Sequence, residues 1–174
     1  IGEIKAAYFE HGNKPFYAFK FMADSILNIP DYFDDEATNL RRQFLKMPVK
    51  FSRISSRYNL RRRIAFYGNR IRAHKGTDFA APRGTEIMAT ANGTVVESRY
   101  KGGNGNYVKI RHNGTYSTQY LHMSKRAVKV GDVVKQGEVI GYIGMTGNTS
   151  GPHVCYRFWK NGVQVDPLRQ KLPA

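Results

Sequence analysis

Three of the five histidines stand beside other groups able to hold a metal or carry a proton. His74 and Asp78 are four residues apart in AHKGTDFAAP, His122 closes QYLH, and His153 precedes Cys155 by two in GPHVCYRFW. In an extended chain side chains alternate between faces, so His153 and Cys155 project together while Val154 turns away. His74 and Asp78 share a face whether their segment is extended or helical, and Gly76 between them lets the backbone bend closely around an ion. Imidazole, carboxylate and thiolate are all zinc donors, and three protein ligands plus water is the arrangement of a catalytic rather than a structural site. No HExxH occurs, so a helix-borne glutamate base is not on offer. Histidine, whose ordinary pKa is about 6.5, is then the proton carrier.

Each position also has a structural reading. His153 and Cys155 suit a buried strand in which Cys155 packs as a small apolar group. His122 suits the end of a strand whose outward face is Tyr116, Thr118 and Tyr120, with Tyr120 alternatively lining a groove. Arg157 and Trp159 share parity with Cys155 and would extend its face. His112, beside Asn113-Gly114, and His11 receive no role.

The elements that must position these groups are strands. From about Thr85 the chain runs as short alternating segments punctuated by glycine turns, the signature of an all-β domain. Asn-Gly tolerates the positive φ of two-residue turns, which predicts three hairpins: EIMATA with TVVESRY across Asn92-Gly93, YVKIRH with TYSTQYLH across Asn113-Gly114, and HVCYRFWK with VQV across Asn161-Gly162. GGNGN at 102–106 reads as a mobile loop, without the strand-to-helix context of a phosphate cradle. An antiparallel sheet is expected over residues 52–170, with one face covered and the other open as a groove. Before Ser52 the sequence reads as mixed and partly helical: FYAFKFMADSIL suits one helix, and EATNLRRQFLKM another that stops before Pro48, with turn residues in NIPDYFDDEA between. The expected division is a lead-in segment at 1–51 and the main domain at 52–174.

Composition narrows the class. The 174 residues have 41% hydrophobic content and a mean hydropathy of -0.53, which argue against wholesale disorder and coiled coil. No apolar run approaches the roughly 18 residues of a membrane span. The single Cys155 rules out an internal disulfide framework. The chain starts at Ile1, which suggests a processed or truncated product. Net charge is +15 and uneven: residues 1–40 carry three basic and seven acidic side chains, residues 41–75 twelve basic and none acidic. A belt that positive favours an anionic surface, and its plain alternative is a solvated linker.

The run from His74 to Asp78 followed by FAAPRGTEIMATANGTVV, then YLHMS, then TGNTSGPHVCYRFW and a closing VDPL, strongly resembles the lysostaphin/LytM-type zinc endopeptidases that cut peptidoglycan. The resemblance covers about residues 52–170, with the separate motifs in the family's order. It implies a mainly β, antiparallel groove domain of the LytM type, related to biotinyl/lipoyl hairpin folds, preceded by a lead-in like that of envelope-anchored members. By position it implies His74, Asp78 and Cys155 as zinc ligands and His122 with His153 as the catalytic pair. It further implies peptide crosslinks of peptidoglycan as substrate, an anionic wall or envelope surface as partner, and a periplasmic, envelope or secreted location. A monomer with no nucleic-acid partner is expected.

One residue departs from the family pattern: Cys155 stands where the second His of an HxH motif is usual. A thiolate binds zinc well, but Zn2+ with one imidazole, one carboxylate and one thiolate is formally neutral. With two imidazoles it would carry +1. A less positive ion polarises water less, so activity is expected to be lower or shifted toward alkaline pH. Cys155 also opens the alternative of a catalytically degenerate LytM-type domain that binds the wall or activates another wall hydrolase. A carrier-domain reading of VKVGDVVKQGEVIGYIG fails for want of a tip element presenting one lysine.

Overall fold

The computed structural model describes residues 5–11, 14–24, 29–33, 44–63 and 71–170. The chain divides into two units, residues 1–43 with 172–174, and residues 44–171. In the first, β1 (Ala6–His11), β2 (Lys14–Asp24) and β3 (Ile29–Phe33) form an antiparallel meander. This corrects the partly helical expectation. Residues 16–24 of FYAFKFMADSIL lie in β2, where Ala6 pairs with Phe19 on one side and Phe33 pairs with Phe19 on the other. Aromatic-rich segments favour a pleated surface with neighbours on both sides, and that preference outweighs a short helical spacing. Part of the expected turn in NIPDYF is β3. Of the second expected helix, residues 36–43 lie outside the described residues, and Phe44–Met47 are not helical.

The second unit is built on β4 (Arg53–Ser56), β7 (Thr77–Ala80), β8 (Glu86–Met88), β9 (Gly93–Lys101), β10 (Gly105–Arg111), β11 (Tyr116–Arg126), β12 (Val133–Val134), β13 (Val139–Ile143), β14 (His153–Lys160) and β15 (Val163–Val165). These ten strands form one sheet along the path β12-β9-β10-β11-β14-β7-β4, with β13 joining β11 to β8 and β15 on β14. A separate pair, β5 (Asn59–Arg63) and β6 (Ile71–His74), carries His74 at its end. Every pairing among the described strands is antiparallel, the arrangement that lets one face pack while the other stays free.

Two of the three expected hairpins form. Between β14 and β15, Asn161 and Gly162 take φ of 49° and 76°, the two positive values of a tight two-residue turn. Between β10 and β11, Asn113 works differently: its Oδ1 accepts from the backbone N–H of Thr115 and Tyr116, each at 2.8 Å. The Asn92-Gly93 hairpin does not form, since β8 pairs with β13 and β9 with β10 and β12. A Cβ on Gly93 would lie 2.5 Å from the Arg111 carbonyl oxygen, and Asn92 Oδ1 accepts from Gln136 N. The dipeptide is therefore a close-packed joint, a role that composition does not separate from a turn. Nor is GGNGN a free loop. Gly102–Asn104 is a 3-10 turn between β9 and β10, and Gly103 O accepts from Asn148 N at 3.0 Å.

One face of the sheet and the strands folded over it enclose Phe79, Ile110, Ile140, Val154 and Phe158, all within 1% of complete burial. Tyr116, Thr118 and Tyr120 belong here rather than on an outward face. Tyr120 is fully buried and its hydroxyl meets Thr90 Oγ1 at 3.0 Å and Thr118 Oγ1 at 2.8 Å, so burial leaves no polar atom stranded. Phe44 and Val49 are part of this core, Phe44 packing edge-on against His112, Tyr116 and Phe158. Among the described residues no helix is long and apolar enough to cross a membrane.

His112 is locked into this core by Asn92 O and Thr118 Oγ1, both at 2.7 Å. Burial lowers its pKa from 6.5 to about 4. The folded imidazole therefore stays neutral where the unfolded one takes a proton, so its contribution is complete above pH 6.5 and is lost as pH falls toward 4. At about 1.4 kcal/mol per pKa unit this amounts to on the order of 3 kcal/mol. We expect urea midpoints to drop over that window, and His112→Gln to flatten the drop relative to the native chain.

Candidate active site

The opposite face of the sheet carries the chemistry. Asp78 and Cys155 are direct cross-strand partners on β7 and β14, so their side chains emerge together. His74 comes from the end of β6. Its Nε2 lies 3.0 Å from Asp78 Oδ1 and 3.5 Å from Cys155 Sγ, and the three donor atoms all lie within 4.8 Å of one another. Gly76 permits this: a Cβ there would sit 2.8 Å from Cys155 Sγ. Cys155 is 3% exposed and packs with Tyr107 and Leu121, so the apolar reading holds for its surroundings while its sulfur faces the other two donors.

Proton accounting tests whether these atoms suit a cation. A carbonyl oxygen only accepts, so the 3.1 Å contact of His74 Nδ1 with Arg57 O keeps a proton on Nδ1, and Nε2, 3.0 Å from Asp78 Oδ1, is the nitrogen that would offer its lone pair to a cation. Asp78 Oδ1 is buried without a hydrogen-bond donor. A lone pair, an orphaned carboxylate oxygen and a sulfur thus converge on one point, a donor set that fits Zn2+. Burial pushes the Asp78 carboxyl up. The approach and charge of His74 and the charge of His153 outweigh it, and the net pKa lies below the usual 3.8. Burial, followed by the charge of Asp78, drives the Cys155 thiol far above its usual value, so the thiol keeps its proton until a cation replaces it.

The other two histidines adjoin this cluster. His153 Nε2 is 3.7 Å from Asp78 Oδ1, and its Nδ1 meets Gly151 O at 2.8 Å and Thr149 Oγ1 at 3.0 Å. His122 arrives by a device that period-two counting misses. Tyr120 pairs with Val108 and Met123 with Asn106, so β11 spends one more residue than β10 between them. His122 occupies this bulge with φ of 66°. The extra residue reverses parity: Tyr120 faces the core while His122 faces the site. Its Nδ1 contacts Thr146 O at 2.8 Å, and its ring lies 4.9 Å from that of His153. Burial, with a smaller contribution from His153, lowers its pKa.

All five residues singled out in sequence are therefore neighbours. Arg157 extends the same face, its partner Gln119 lying across β11. Trp159 lies under Lys109 Nζ at 4.3 Å. Sequence reading missed Arg62, which it counted in the basic belt. Unlike the exposed Arg61 and Arg63, Arg62 is half-buried; its Nη1 donates to Ser56 Oγ at 3.0 Å and lies 4.0 Å from Asp78 Oδ2. Ser56 Oγ is in turn 3.3 Å from His74 Nδ1. Alternating exposure along RRR is the one signal that could have separated it.

Residues 72–167 match Peptidase family M23. The chain is 46% identical over 146 residues to the peptidoglycan DD-endopeptidase ShyC of Vibrio cholerae, a match covering 84% of this chain and 34% of that protein. It is 40% identical over 175 residues to an uncharacterized metalloprotease of Haemophilus influenzae, covering 99% and 35%. Among solved structures, a zinc containing peptidase from Vibrio cholerae superposes with a TM-score of 0.72 at 35% identity, covering 98% of this chain and 51% of that one. The catalytic domain of the antimicrobial peptidase lysostaphin from Staphylococcus simulans gives 0.60 at 32%, covering 67% and 90%. The chain spans about a third of the length of the curated relatives it matches. With a mainly antiparallel β fold, a clustered His/Asp/Cys donor set and a family match over more than half its residues, the chain belongs to peptidase family M23.

Proposed function

We propose that this chain is the catalytic part of a zinc endopeptidase that cleaves peptide crosslinks of bacterial peptidoglycan, acting at the cell envelope outside the cytoplasm. The observation that carries the reading is the meeting of His74 Nε2, Asp78 Oδ1 and Cys155 Sγ beside two imidazoles already held in one tautomer. His74, Asp78 and Cys155 would hold the ion. Zinc bound there supplies a Lewis acid for a peptide carbonyl and for water. His122 and His153 each use Nδ1–H on a backbone carbonyl, which leaves Nε2 free to take a proton from water and return it to the leaving amine. Their fixed tautomers remove the cost of reorienting them during the reaction. The positive charge of Arg62, 4.0 Å from Asp78 Oδ2, favours the ionised carboxylate that a cation needs. A domain that only binds the wall is not favoured, because Cys155 keeps a ligand-type atom with the other two donors.

The test pairs metal analysis with digestion of purified sacculi. We expect stoichiometric zinc and release of uncrosslinked peptides, abolished by chelation and restored by zinc. A chain that takes up no zinc at micromolar concentration, or that cleaves equally well without it, overturns the reading.

The basic belt supports recruitment to an anionic wall. Arg53, Arg57, Arg61 and Arg63 are exposed, and such fields act within a Debye length of about 10 Å at 0.1 M salt. Arg62 touches the site, so the clean test neutralises Arg61 and Arg63 alone. Sacculus binding is expected to weaken several-fold at low salt and to equal that of the native chain at high salt. Unchanged binding at low salt makes the belt a solvated surface.

A further inference from the structure

A shallow cleft of about 480 Å³ lies beside the site, lined by Phe51, Arg53, Ala80, Pro82 and Pro152 among others. Its position follows from register. Ala80 on β7 pairs with Arg53 on β4 and with His153 on β14, so the three side chains form one row on one face, which is the face of Asp78 two residues away. Strands lie about 4.8 Å apart, which sets the Arg53 backbone about 10 Å from that of His153. The methyl of Ala80 leaves the space between them open. β4 ends the main path of the sheet, so among the described residues no strand pairs with its outer side.

One feature of the cleft is costly for the fold alone. Phe51 is fully exposed, at 102%, and has a φ of 52°, a region that a bulky side chain enters only with strain. Strain joined to an unpacked aromatic ring is the kind of outlier from which function is inferred. Arg53 is exposed, and its side chain has no hydrogen bond or ion pair among the described residues. A guanidinium without an acid, next to an apolar wall and in the same row as a candidate catalytic histidine, matches a ligand that presents a carboxylate on a short apolar stem.

We propose that this cleft is a substrate subsite that receives a carboxylate-bearing residue of the peptide near the scissile bond, with Arg53 binding the carboxylate and Phe51 walling the stem. The proposal rests on the peptidase reading above and names the chemistry its substrate must carry. It makes Arg53 a specificity-determining residue, since a guanidinium fork pairs with a carboxylate but gains little from a carboxamide.

The test uses two short crosslinked peptides, one with a free carboxylate beside the scissile bond and one with the matching carboxamide, followed by cleavage and by equilibrium binding to the zinc-loaded protein. Native protein is expected to prefer the carboxylate. Arg53→Gln lowers kcat/KM for that peptide by about tenfold, chiefly through KM, and leaves the carboxamide peptide unchanged. Phe51→Gly raises KM for both while raising thermal stability, because glycine relieves the strained φ; a purely structural Phe51 moves stability only. Equal cleavage of both peptides, untouched by Arg53→Gln, overturns the cleft and keeps the peptidase. Arg53-dependent preference in binding, with neither peptide cut, keeps the cleft and overturns the peptidase.

Discussion

Cys155→Ala is expected to bind zinc at least about 100-fold more weakly than the native chain and to lose cleavage of sacculi with it. Loss of a residue that merely supports a ligand already costs 10- to 100-fold in metal affinity, and Cys155 supplies one of three donor atoms that lie within 4.8 Å. Cys155→Ser removes the soft sulfur while keeping size, and should behave like the alanine variant. Cys155→His should keep zinc, because imidazole is an equal donor. It also restores a formal +1 on the ion, so the acidic limb of its kcat/KM profile is expected at lower pH than in the native chain. The measurements are zinc content after dialysis against a graded chelator and the pH profile of crosslink cleavage. If Cys155→Ala retains stoichiometric zinc and normal rates, the sulfur is packing material and the ion sits elsewhere.

The same cysteine shows how far sequence can take the site. His74, Asp78, His153 and Cys155 were legible as a group because the two local spacings, four and two, translate directly into shared faces, and the motif order then joined them across the chain. His122 was legible only by resemblance. Its strand parity points into the core with Tyr120, and the one-residue bulge that turns it outward is a pairing event between β10 and β11 that neither strand announces alone. Arg62 was hidden for another reason: in RRR the middle residue differs from its neighbours in burial, not in type. The all-β unit was readable from its alternating runs. The Asn92-Gly93 joint and the β2 strand were not, since the first depends on distant groups, Arg111 O and Gln136 N, and the second on two neighbouring strands. Likewise VKVGDVVKQGEVIGYIG looks like one hairpin, yet β12 pairs with β9 while β13 pairs with β11 and β8.

The bulge makes the second large effect testable without unfolding the sheet. Alanine at 122 would carry the strain of a positive φ, about 1 kcal/mol or more, and would confuse a chemical loss with a structural one. Asparagine enters that region readily, so His122→Asn should preserve the thermal transition and the zinc content. It should nevertheless lower kcat by about a hundred- to ten-thousand-fold, the range that a positioned proton carrier contributes. His153→Asn is expected to fall in the same range. If the two imidazoles act as one proton-handling unit, the double variant loses little more than either single one, as groups that work together are far from additive. Separate, fully multiplying losses would mean instead that one histidine handles the proton and the other binds substrate, and KM would then rise in only one of the two variants. Normal kcat in His122→Asn would remove it from the chemistry and leave the Nδ1 contact with Thr146 O as a structural tie between β11 and the chain before β14.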